Sequence, residues 1–85
     1  MNVAFTPQAW EEYLYWQRTD PRILARIHEL IKDIKRNPYN GVGKPEPLKH
    51  ALQGYWSRRI TLEHRIVYKR AGNQILIAQL RYYYQ

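Results

Sequence analysis

The apolar pattern of this chain changes period once, and that change limits the folds open to it. Behind Asp20-Pro21, the residues Ile23, Ile27, Leu30, Ile31 and Ile34 fall at i, i+4, i+7, i+8 and i+11, one stripe along a helix. Thr6-Pro7 gives the same start signal, a capping hydroxyl followed by proline at the first helical position. Trp10, Tyr13, Leu14 and Gln17 follow it at helical spacing. Two such segments in succession predict a helical hairpin, which Asn37-Pro38 ends before a loop marked by Asn40-Gly41 and Gly43. From Leu48 onward the pattern is one of short strands over 55–61, 64–70 and 74–84, rich in aromatic and branched residues and separated by turns at 61–63 and 71–73. Val3-Ala4-Phe5 is a further strand candidate, too brief for pattern to decide.

Consecutive strands joined by short turns pair antiparallel. Alternation over 74–84 puts Ile75, Ile77, Gln79, Arg81 and Tyr83 on one face, and Leu76, Ala78, Leu80, Tyr82 and Tyr84 on the other. The expected architecture is α+β: an N-terminal helical hairpin packed on one face of a mainly antiparallel, twisted sheet, with the opposite face free to bind.

Residues 1–85 suffice for one domain with a modest core. The chain has no cysteine, which excludes disulfides and thiolate metal sites. Its longest aliphatic run, Ile75-Leu76-Ile77-Ala78, is far too short to span a bilayer, so the expectation is a soluble cytoplasmic protein without a membrane partner. The net charge of +7 is unevenly placed. Residues 1–36 carry six Lys/Arg against five Asp/Glu, whereas residues 37–85 carry eight against two. Between Lys44 and Arg70 the only carboxylates are Glu46 and Glu63, set among seven cations. Such a field favours nucleic acid or an acidic protein over a neutral small molecule. An acid alone among cations is a candidate for proton transfer. His28, His50 and His64 show no ligand spacing, so neither a metal site nor a cofactor is expected.

Several blocks together carry a resemblance. The run Tyr13-Leu-Tyr-Trp16, the helix end Glu29-Leu-Ile-Lys-Asp33, Gly43-Lys-Pro-Glu-Pro-Leu-Lys-His50, Trp56-Ser-Arg-Arg-Ile-Thr61, Glu63-His-Arg65 and Val67-Tyr68 resemble the YoeB/Txe toxins of the RelE/ParE superfamily. The resemblance covers nearly the whole chain. It implies a RelE/ParE-like, microbial-RNase-like fold and a toxin of a type II toxin–antitoxin system. The implied activity is a ribosome-dependent endoribonuclease, cutting mRNA in the ribosomal A site and held inactive by a YefM-like antitoxin. Homodimerisation is also suggested by the family.

Metal-independent RNA cleavage needs a base for the 2′-hydroxyl proton, cations for the charge growing on phosphate, and an acid for the departing 5′-oxygen. By the resemblance, Glu46 is the base, presented between Pro45 and Pro47, and Arg65 is the phosphate-stabilising arginine. A guanidinium suits that task because its fork grips two oxygens and keeps its charge. Lys44, Lys49, His50, Arg58, Arg59 and Arg81 are the expected RNA contacts. The family's general acid is a penultimate histidine followed by tyrosine; here Tyr83 stands at the histidine position, with Tyr84 beside it and one further residue. A phenol keeps its proton at neutral pH and is a weaker acid than imidazolium. Three readings therefore stay open: Tyr83 as acid, a catalytically weakened RNA-binding homologue in which Tyr83 only stacks, and a ParE-like gyrase-binding toxin.

Overall fold

The computed structural model describes residues 1–83. The element order is β1 (Asn2–Phe5), α1 (Pro7–Thr19), α2 (Pro21–Arg36), β2 (Glu46–Pro47), a short 3-10 turn (His50–Leu52), β3 (Trp56–Arg59), β4 (Arg65–Ala71) and β5 (Gln74–Gln79). Both helices start as their sequences predict. Thr6 Oγ1 accepts the Ala9 N–H, and the Asp20 carboxylate accepts those of Arg22 and Ile23, with proline at the first helical position each time. Each such cap contributes about 1 kcal/mol.

The five strands form one mixed sheet in the order β1-β5-β4-β3-β2. Three strand pairs are antiparallel, but β1 runs parallel to β5, Asn2 opposite Gln74 and Phe5 opposite Ile77. The helical hairpin covers one face. Ile27, Leu30 and Ile34 from α2, with Ala9 and Trp16 from α1, bury themselves against Ile66, Tyr68, Ile75 and Ile77.

Two expectations require correction. The last strand stops at Gln79 rather than at residue 84, and its alternation breaks before that. Val67 lies opposite Gln79 while Tyr68 lies opposite Ile77, so Ala78 is an extra residue, a bulge. Leu80, expected on the face away from Ile75 and Ile77, is therefore in the core with them. The opposite sheet face is also not bare. Ser57, Arg65, Val67 and Gln79 are all buried there, because the 48–55 segment and the residues after β5 fold over them.

One charged side chain belongs to the scaffold. Arg58 is fully buried, and all five of its N–H donors find acceptors. Its Nη1 donates to the Asp33 carboxylate (2.6 Å) and the Val42 carbonyl (3.1 Å), and Nη2 donates to the carbonyls of Asn37 (2.7 Å) and Asn40 (3.0 Å). Nε donates to the Tyr68 hydroxyl, which burial keeps protonated and which donates onward to the Pro38 carbonyl at 2.6 Å. The expected RNA contact at Arg58 is thus overturned: the guanidinium ties the 37–42 loop to the sheet and has no donor left for phosphate. Gly41 completes the arrangement at φ 134°, where a Cβ would meet the Asp33 carboxylate at 1.9 Å.

The hydrogen bond from Arg58 holds the Asp33 carboxyl below its ordinary value of 3.8. Since the folded state prefers the ionised form, this contribution is complete above that value and is lost as pH falls below it. Urea unfolding of the wild type is therefore expected to show stability declining below pH 3.8, with a shallower decline in Asp33→Asn.

Candidate active site

Strand register builds the site. Glu46 on the edge strand β2 lies opposite Ser57 on β3, and Ser57 lies opposite Val67 on β4. Arg65, two residues from Val67, shares that face. An edge strand tolerates Pro47, which has no N–H to donate. The result is convergence: Arg65 Nη1 donates to Glu46 Oε1 at 3.2 Å and to Ser57 Oγ at 3.3 Å. The Arg65 side chain is 7% exposed whereas that of Glu46 is 50% exposed, so the acid faces solvent over a nearly buried cation.

Tyr83 arrives from beyond β5. Its ring lies over the Arg65 guanidinium, 4.8 Å from centroid to charge, and Arg65 Nη2 approaches its hydroxyl at 3.5 Å. The chain reverses to reach this position. Tyr82 adopts φ 65°, its N–H donates to His64 Nδ1 (2.7 Å), and its carbonyl accepts the Arg65 N–H (2.9 Å). Among the described residues, the non-glycines at positive φ are Lys44 (54°), His50 (58°) and Tyr82. Two bracket the Glu46 strand and the third precedes Tyr83. Each such residue costs on the order of 1–3 kcal/mol, and strain of this kind gathers at functional sites.

The other expected residues divide into two groups. Glu46, Lys49 and His50 line one cavity of about 340 Å³ with Pro47 and Leu48, and Lys44 is exposed just before it. Arg59 is exposed and lies directly opposite Arg65 across β3 and β4. Like charges so paired are destabilising unless an anion lies between or beside them. Arg58 and Arg81 are not brought to this surface. The Arg81 guanidinium lies over the rings of Tyr15 (3.7 Å), Tyr82 (4.7 Å) and Trp16 (6.0 Å), so helix α1 engages it away from Glu46 and Arg65. Tyr84 lies outside the described residues.

Two polar residues of the site escaped the sequence reading, Ser57 and Gln79, while His64, read as a surface or phosphate-adjacent donor, instead accepts the Tyr82 N–H. Ser57 gave no signal of its own. Gln79 did, as a lone amide inside Ile75–Leu80, where a buried strand ordinarily carries apolar side chains. The misreading of Arg58 also had a signal, because it shares strand parity with Trp56 and Ile60, which pack against the core.

Comparison with known proteins places the chain in a family. Residues 5–84 match the family described as YoeB-like toxin of bacterial type II toxin-antitoxin system. The chain is 56% identical over 84 residues to Toxin YoeB of Escherichia coli strain K12, covering 99% of this chain and all of the relative. Among solved structures it is similar to the YoeB/ParE toxin from Agrobacterium tumefaciens, at TM-score 0.95 and 48% identity over 99% of this chain and 100% of that one. It is similar also to the YoeB-YefM complex from Staphylococcus aureus, at TM-score 0.92 and 48% identity over 99% and 98% of the two chains. More distant chains such as YafQ from E. coli, at 16% identity and TM-score 0.77, share the fold. Full-length agreement in sequence and in three dimensions establishes that this chain belongs to the YoeB-like toxins of type II toxin–antitoxin systems.

Proposed function

We propose that this toxin is a ribosome-dependent mRNA endoribonuclease that cuts in the A site without a metal. The observation that supports it most is the meeting of the Glu46 carboxylate, the Arg65 guanidinium and the Tyr83 hydroxyl. Arg65 is paired to Glu46. A scissile phosphate competes for the same fork and releases the carboxylate to accept the 2′-hydroxyl proton. The 2′-oxygen then bonds to phosphorus, and Arg65 and Arg59 balance the charge on the equatorial oxygens. The P–O5′ bond breaks, and the leaving oxygen takes the Tyr83 proton. The products are a 2′,3′-cyclic phosphate and a 5′-hydroxyl. Proton exchange with water returns Glu46 and Tyr83 to their starting forms.

Primer extension on translated mRNA in a purified translation system tests this reading. Breaks at A-site codons are expected with the wild type, and their absence, or equal cutting by Glu46→Ala, sinks it. The second reading for Tyr83 rests on its ring lying over Arg65, an arrangement suited to stacking on a base. Tyr83→Phe separates the two. Loss of the hydroxyl is expected to slow single-turnover cleavage by about two orders of magnitude if it donates a proton. An unchanged rate assigns Tyr83 to stacking.

A YefM-like antitoxin is the proposed inhibitor, in keeping with the S. aureus YoeB-YefM complex. An acidic segment folding over the Lys44–Arg65 surface would neutralise the charges that RNA needs. A homodimer is the proposed free form, as the S. aureus YoeB dimer has TM-score 0.92 to this chain. No described helix is long and apolar enough to cross a membrane, and the proposed place of action is the cytoplasm, where translating ribosomes are.

A further inference from the structure

Tyr83 reaches Arg65 because the chain turns back after β5, and a buried side chain is hydrogen-bonded along that turn. Gln79 is 6% exposed, yet its carboxamide N–H groups face three backbone carbonyls. They donate to Arg81 (2.8 Å), Tyr82 (3.4 Å) and Tyr83. All three partners are acceptors, which fixes the orientation of the amide. The bulge at Ala78 turns Gln79 to the side of Val67 and Arg65, and a strictly alternating strand would have sent it into the helix-facing core. A buried amide is costly where an aliphatic residue would pack, unless its donors are used. Here they are used on the segment that carries Tyr83.

We infer that Gln79 is a positioning residue of the candidate active site: its carboxamide clamps residues 81–83 so that the Tyr83 side chain is held over Arg65. The His64 Nδ1 contact and the Arg65 N–H contact fix the same turn at Tyr82, but from the β4 side. Gln79 is the only one of the three anchors that touches the Tyr83 backbone directly. The effect on rate rests on the nuclease reading; the clamp does not.

Gln79→Leu and Gln79→Met remove the donors and nearly keep the volume, so that if one fails to fold the other still reports. Amide hydrogen exchange followed by NMR is expected to show the Tyr82 N–H exchanging at least about ten-fold faster, with the Ile66 and Tyr68 amides unchanged as a control on folding. Unchanged exchange at Tyr82 overturns the clamp, whatever happens to activity. In single-turnover cleavage on programmed ribosomes, kcat is expected to fall about ten- to a hundred-fold with KM little changed. The same substitutions in a Tyr83→Ala background, which removes ring and hydroxyl together, are expected to add no further loss. An equal loss in both backgrounds, or faster exchange with undiminished cleavage, overturns the positioning role. Should the unmodified chain cut no mRNA, the nuclease reading fails and the exchange result alone decides whether Gln79 clamps the turn.

Discussion

Glu46→Gln is expected to lower the rate of mRNA cleavage by about two to four orders of magnitude while leaving the protein folded. The choice of Gln over Ala follows from the geometry. Arg65 is nearly buried and donates to Glu46 Oε1, so Ala would strand a cation that has, among the described residues, only Ser57 and Tyr83 beside its guanidinium. A glutamine oxygen still accepts that hydrogen bond but cannot take a proton from a 2′-hydroxyl. Thermal unfolding should therefore stay close to wild type as catalysis is lost, a combination that separates chemistry from structure. Arg65→Lys is the companion variant. It keeps the charge and loses the fork, and a loss of about two orders of magnitude is expected from the weaker hold on developing phosphate charge. Wild-type cleavage by either variant, measured as fragment yield per ribosome, would remove the proposed mechanism.

Arg58→Leu is expected to destabilise the fold by about 3–5 kcal/mol, the usual consequence of breaking a buried ion pair from one side. The substitution takes one of three donors from the Asp33 carboxylate and leaves the Tyr68 hydroxyl and three carbonyls of the 37–42 loop without the Arg58 donor. A domain of this size has a total stability of roughly 4–13 kcal/mol, so the variant should be partly unfolded near 37 °C. Arg58→Lys rescues little, since an ammonium has three donors and no planar fork for five acceptors. The neighbouring residue supplies the contrast. Arg59→Leu is expected to change stability by no more than about 0.5 kcal/mol, because Arg59 is exposed. It should nonetheless weaken cleavage, as the cation opposite Arg65 is gone. Urea titration of the two leucine variants side by side checks both statements; similar midpoints would contradict the structural assignment of Arg58.

These adjacent arginines mark the limit of what charge can reveal. In the sequence both are cations in a basic strand, and only parity with Trp56 and Ile60 hints that Arg58 points inward. The burial of a guanidinium depends on five acceptors supplied by Asp33, Tyr68 and a loop between them, groups that no local window contains. The pairing of Glu46 with Arg65 was legible through family resemblance, since their separation along the chain says nothing about contact. The tail was not legible. Alternation carried the last strand through Tyr84, whereas a bulge at Ala78 and a left-handed Tyr82 end it and fold it back.

Legible along the chain were the elements: two capped helices, one with an apolar stripe, three strands with their turns, and a cationic second half. Those follow from interactions a few residues long, namely capping, periodicity and turn chemistry. Long-range packing is what sets β1 parallel to β5, makes Arg58 a fastener rather than an RNA contact, and lets Gln79 hold Tyr83 over Arg65. Each of these depends on groups distant in sequence satisfying one another's hydrogen bonds away from water, a constraint that exists only once the chain has closed around them.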